Sequence, residues 1–203
     1  MTTAARGGGA SVPTVLRICV AAVAAAAMII LLPSLASAQA PAGGTTAGSV
    51  AAGVGPVTGL KLPRFVSLKS DKVNMRTGAG KDYPTQWVYQ RAGLPLEVLN
   101  EIDNWRQVRD ADGVTGWVSA HLLSSRRTAL VLPWEVKSGQ SPPQVPLRDD
   151  DSESARTVVF VEAGVIANVH SCDTRWCEVT AGNWRGYVEQ LKLWGVYQNE
   201  EVK

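Results

Sequence analysis

Cys172 and Cys177 bracket "DTRW" just beyond His170, so residues 170–177 gather two thiols and an imidazole in one short stretch. Three chemistries suit such a set: a disulfide, half of a metal site, or a cysteine nucleophile with His170 as its base. Zinc needs two further ligands, and His170 is the only histidine near in sequence. The disulfide is the favoured reading, because facing positions of a hairpin bring β-carbons within bonding reach. Closing so short a loop contributes about 2 kcal/mol. The same bridge competes for the thiol that a catalytic reading needs, so no enzyme and no cofactor are expected. The acidic run "RDDDSE" at 148–153 lacks the glycine and the distal bidentate glutamate of a calcium loop and reads as a solvated loop, leaving no metal expected.

Other candidates for binding are aromatic and cationic. Trp105 and Trp117 lie twelve positions apart in "DNWRQVRDADGVTGWVSAHLL", and two readings stand: both pack a small core, or one or both line a groove with Tyr83. Flat rings with polar tips suit an extended peptide or a glycan. Trp117 follows a glycine on a short strand and is expected to serve the core, with Trp105 facing the ligand. Arg76 and Arg148 recur at matching places, where an arginine acts either as an internal pin on loop carbonyls or as a ligand contact.

The elements that must position these residues are short strands. "KVNMR", "QWVYQ", "LPLEVLNEI", "WRQVR" and "VTGWV" alternate apolar and polar residues and are separated by turn sequences such as "TGAGKDYP" and "DADG". The fold class is therefore all-β. Residues 74–123 and 145–193 align with two one-residue gaps, matching Arg76 with Arg148, Val98 with Val169, Trp105 with Trp176, and Gly116-Trp117-Val118 with Gly186-Tyr187-Val188. Two copies of one small domain follow, at 65–126 and 127–197, with a tail at 198–203.

Ahead of them, Arg6 and Arg17 precede an apolar run from Ile18 to Leu32 and an A-x-A site ending at Ala38, the pattern of a secretory signal peptide over 1–38. An uncleaved anchor is the alternative. Cleavage removes Cys19 and two arginines, leaving 18 basic against 18 acidic residues. That balance speaks against a nucleic-acid partner, and no later run is long enough for an integral membrane span. Residues 39–64, rich in Gly, Ala and Pro, read as a disordered linker.

"VNMRTGAGKDYP" and the W-x-x-V, G-W-V succession of 105–118 resemble the opening and closing motifs of bacterial SH3-like domains. The second copy keeps "RWCEV" and "GYVEQLKLWGVY" but carries "RDDDSESAR" where the first has its glycine-rich loop. The resemblance implies two tandem SH3-like barrels, with a groove beside that loop at Asn74, Arg76, Tyr83 and Trp105 of the first copy. It implies an exported, non-catalytic protein of the periplasm or cell envelope whose partner is peptidoglycan, or else an envelope protein that it holds as an adaptor.

Overall fold

The computed structural model describes residues 53–203. The expected signal peptide and residues 39–52 of the expected linker lie outside the described residues. A hairpin of β1 (Gly53–Val54) and β2 (Lys61–Leu62) comes first. The first barrel follows as β3 (Arg64–Leu68), β4 (Val73–Arg76), β5 (Thr85–Tyr89), β6 (Pro95–Ile102), β7 (Trp105–Arg109), β8 (Thr115–Ser119) and β9 (Leu123–Ser124). Its strands run in the order β5-β4-β8-β7-β6-β3-β9. The second barrel comprises β10 (Thr128–Val131), β11 (Gln144–Arg148), β12 (Thr157–Glu162), β13 (Ile166–Asp173), β14 (Trp176–Ala181), β15 (Trp184–Glu189) and β16 (Leu193–Trp194). Their order, β12-β11-β15-β14-β13-β10-β16, repeats the first strand for strand, and β17 (Glu201–Val202) adds to β13.

Alternation explains both cores. Val73, Met75, Leu96, Val98, Val108 and Val118 turn inward and are fully buried, and Leu147, Val179 and Val188 do the same in the second copy. Each barrel bends its longest hairpin with an irregularity at the same place, between Val98 and Asn100 and between Val169 and Ser171. Past that bend the copies diverge at one cross-strand site. Glu101 faces Arg106 in the first barrel, and Cys172 faces Cys177 in the second. The cysteines are bonded, with S–S 2.03 Å, as the sequence reading favoured.

Two expectations are corrected. The linker does not stay structureless to residue 64: Leu62 enters the first core, and the hairpin is held by the buried Glu101 carboxylate, which accepts from Thr58 N and Thr58 Oγ1, both at 2.8 Å. Small residues bring no core of their own, but their backbone amides satisfy a charge that burial would otherwise penalise. The tail at 198–203 likewise belongs to the second sheet, through β17 and through Glu200, whose carboxylate pairs with Arg127 at 2.9 Å.

The barrels pack on each other. Phe65 meets Trp194 edge-on at 5.3 Å between ring centroids and Tyr197 at 4.7 Å. Tyr197 donates its hydroxyl to the buried Glu97 at 2.9 Å, and Thr128 Oγ1 donates to the Gly93 carbonyl at 2.7 Å. Burial, then the charge of Glu97, pushes the Tyr197 phenol well above its ordinary value, which keeps it a donor.

Candidate functional site

On β4 the inward places belong to Val73 and Met75, so Asn74 and Arg76 face outward. Arg76 lies opposite Trp117 on β8, and Trp117 lies opposite Gln107 on β7. Trp105, two residues before Gln107, shares that face, a diagonal separation that aromatic rings bridge. Both tryptophans are partly exposed on the outer surface. The expectation that Trp117 serves the core is therefore wrong. The inward place goes to Gly116, where an added Cβ would lie 2.5 Å from Met75 Cγ and 2.9 Å from the Arg76 carbonyl oxygen. With that place taken by glycine, the next residue must point out.

Arg76 does the internal work that one of its two readings assigned to it. Its Nη1 donates to the Tyr83 carbonyl at 2.6 Å, pinning the loop between β4 and β5. Arg148 repeats the pin on Ala155 at 2.7 Å. The Tyr83 ring lies over Gly78, where any side chain would collide with it, and remains 51% exposed. The four residues expected from the sequence thus share a neighbourhood unevenly. Arg76 and Trp105 stand on one face with Trp117, Tyr83 joins through its carbonyl, and Asn74 sits toward the sheet edge opposite Val88.

Sequence reasoning passed over that edge. β5 ends the first sheet, and Thr85 to Val88 are all exposed, with Trp87 at 57%. Trp87 has the parity of the core residue Tyr89, so alternation alone reads it as buried. The exposed indole follows from its place on an edge strand.

The second barrel carries the matching face. Tyr187 stands for Trp117, Glu178 for Gln107 and Trp176 for Trp105, and they line a cavity of about 430 Å³ walled by Asp151 and by the final residues Glu201 to Lys203. Its character is acidic. Burial, then the charges of Glu178, Asp151 and Asp150, raise the Tyr187 phenol above its ordinary value. Asp173 is held below the usual carboxylate range by the backbone amides of Trp176 and Arg175, which it caps. His170 Nε2 lies 2.8 Å from Thr180 Oγ1 on an exposed face, and with both cysteines bonded the Cys–His pairing has no thiol.

A family model described as bacterial SH3 domain matches residues 69–125 and 141–195. Among solved structures, the chain is similar to NlpC2 from Trichomonas vaginalis, at 13% identity and a TM-score of 0.29, covering 65% of this chain and 48% of that one. It is similar to NlpC1 from the same organism, at 13% identity and a TM-score of 0.29, over 69% and 48%. An NlpC/P60 family protein from Bacillus cereus ATCC 10987 follows at 11% identity and a TM-score of 0.28, over 68% and 58%. The chain thus spans about half the length of the solved structures it matches. No curated protein matches it.

Proposed function

Because this chain belongs to the bacterial SH3 domain family, with one copy over each barrel, we propose that it is an exported, non-catalytic binding module of the periplasm or cell envelope whose ligand is the peptidoglycan of the cell wall. Domains of this family are generally cell-wall or peptide binding modules. The observation that carries the reading is the outward face of Arg76, Trp105 and Trp117 beside the exposed Tyr83; in the second barrel Tyr187 is partly exposed at the matching place, while Trp176 is buried at 5% exposure. Flat rings with hydrogen-bonding rims accept both sugar rings and extended peptides. The disulfide fits an oxidising compartment, and the A-x-A site at 36–38 fits export with cleavage after Ala38. Among the described residues no helix is long and apolar enough to cross a membrane.

The exposed edge strand β5, with Trp87 and Val88 beside unpaired backbone, supports a second reading as an adaptor that takes up a strand from an envelope protein. Sedimentation with purified sacculi separates the two. Retention by bare sacculi, reversed by soluble muropeptides and weakened about tenfold or more in Trp105→Ala and Tyr83→Ala while the melting temperature holds, is the expected result. Retention only when envelope proteins are restored, and lost in a Trp87→Asp chain, would replace the wall reading with the adaptor.

A further inference from the structure

The two barrels leave the same opening and treat it differently. In the first, a cavity of about 170 Å³ lies between β3 and the turn Ala120–Leu122, with Val66, Val98 and Leu123 as apolar lining and Arg64, Arg106 and Ser125 beside them. In the second, the strand register places Arg127 where the first has Arg64: Arg64 lies opposite Val98, and the Arg127 carbonyl accepts from Val169 N. There the chain itself covers the opening. After Leu193 and Trp194, Val196 enters the core at 7% exposure, and the two Glu200 carboxylate oxygens accept from Nη1 and Nη2 of Arg127, each at 2.9 Å. Gln190, which stands where the first barrel has Ala120, clamps this segment: its Nε2 donates to the Glu200 carbonyl at 2.8 Å, and its Oε1 accepts from Asn199 N at 2.7 Å. The opening is thus filled by an aliphatic side chain and a carboxylate on the arginine.

In the first barrel the chain turns after Ser124 into β10 and returns nothing to the opening. Arg64 donates Nη2 to Glu101 at 2.7 Å, while its buried Nη1 has no partner among the described residues. Arg106, 7% exposed, reaches the same carboxylate at 3.4 Å, so two guanidinium charges are set against one carboxylate. A buried cationic donor without an acceptor is costly, and a bidentate carboxylate is the partner its planar fork fits. The hairpin of β1 and β2 reaches Glu101 through Thr58 and adds the half-exposed Leu60 to the cavity lining, but it brings no acid, and residues 1–70 contain neither Asp nor Glu.

We propose that this cavity is a binding site for a partner peptide, taking an aliphatic side chain against Val66, Val98 and Leu123 and a carboxylate on Arg64, as the second barrel takes Val196 and Glu200 from its own chain. The site is separate from the outer aromatic face and does not rest on the ligand proposed for that face. The probes are N-acetylvaline, N-acetylvalinamide and acetate, titrated into the isotope-labelled protein and followed by backbone amide shifts. N-acetylvaline is expected to move Arg64, Val66 and Ser124 and leave Arg127 and Val169 in place, with acetate and the neutral amide each about tenfold weaker or worse. Arg64→Gln removes the guanidinium charge but also strips Glu101 of an ion-pair partner. Ser125→Glu, exposed at the cavity, instead places a competing carboxylate there and is expected to weaken N-acetylvaline about tenfold at an unchanged melting temperature. Equal binding of acid and amide, equal binding of acetate and N-acetylvaline, or a Ser125→Glu chain that binds as the parent does, each overturns the site. Because no probe contains wall material, these outcomes are independent of the sacculus result.

Discussion

Glu101 concentrates more of the first barrel's polar accounting than any other side chain described. It is 1% exposed and accepts from Thr58 and Arg64, with Arg106 beside it. Burial alone would raise its pKa, but the hydrogen bonds from the Thr58 side chain and backbone and from Arg64 outweigh that and hold it at about 2, against an ordinary 4.5. A folded-state pKa below the unfolded one means that this stabilisation is fully present above pH 4.5 and is lost as pH falls toward 2. Glu101→Gln removes the charge that faces the part-buried Arg64 and the buried Arg106 and is expected to cost about 3 kcal/mol at neutral pH. Denaturant unfolding at pH 7 and pH 3 checks both claims together: the gap between parent and variant should narrow at the lower pH. A gap that stays constant means the carboxylate charge is not what stabilises the hairpin.

At the level of strands and hairpins, the copies solve one problem in two ways. The cross-strand site past the bend in the long hairpin is an ion pair in the first barrel and a covalent bond in the second. Reduction of Cys172–Cys177 is expected to cost the second barrel about 2 kcal/mol. Hydrogen exchange reads this locally: amides of β13 and β14 should lose protection on reduction, while those of β6 and β7 hold theirs. Equal loss in both hairpins would mean that the bond stabilises something other than its own barrel.

Much of this level was legible in the sequence. The period-two runs and the internal repeat carry the all-β reading and the duplicated domain, because inward residues such as Val98 and Val169 recur with the turns that separate them. The facing of Trp117 was misjudged because its aromatic bulk was weighed above the alternation of its strand, on which Gly116 and the fully buried Val118 take the inward places. The hairpin at 53–62 was hidden for a different reason. Its partner, Glu101, lies more than forty residues away, and a segment of small residues shows no periodicity of its own. Of the four residues expected at the groove, Arg76 turned out to shape the loop, and the exposed Trp87 was missed because an edge strand leaves open a position that alternation assigns to the core.

Across the whole described chain, the contact between barrels is built like a core. Phe65 is 6% exposed between Trp194 and Tyr197, and the Tyr197 hydroxyl ends on a buried carboxylate that Arg109 also holds, at 2.8 Å from its Nε. Losing a buried phenylalanine costs about 3 to 5 kcal/mol, comparable with the stability of one small domain. Calorimetry of the parent should therefore show a single transition, and Phe65→Ala should split it into two at lower temperature. Two transitions in the parent, or one unshifted transition in the variant, would mean the barrels fold independently. The same wedge of rings also makes the pair of barrels a ruler. Under the proposed function, a strand bound at one barrel would meet the other without the entropy of bringing two loose modules together. On that reading, affinity for a repeating polymer would exceed that for a single repeat unit, which gains nothing from the second barrel.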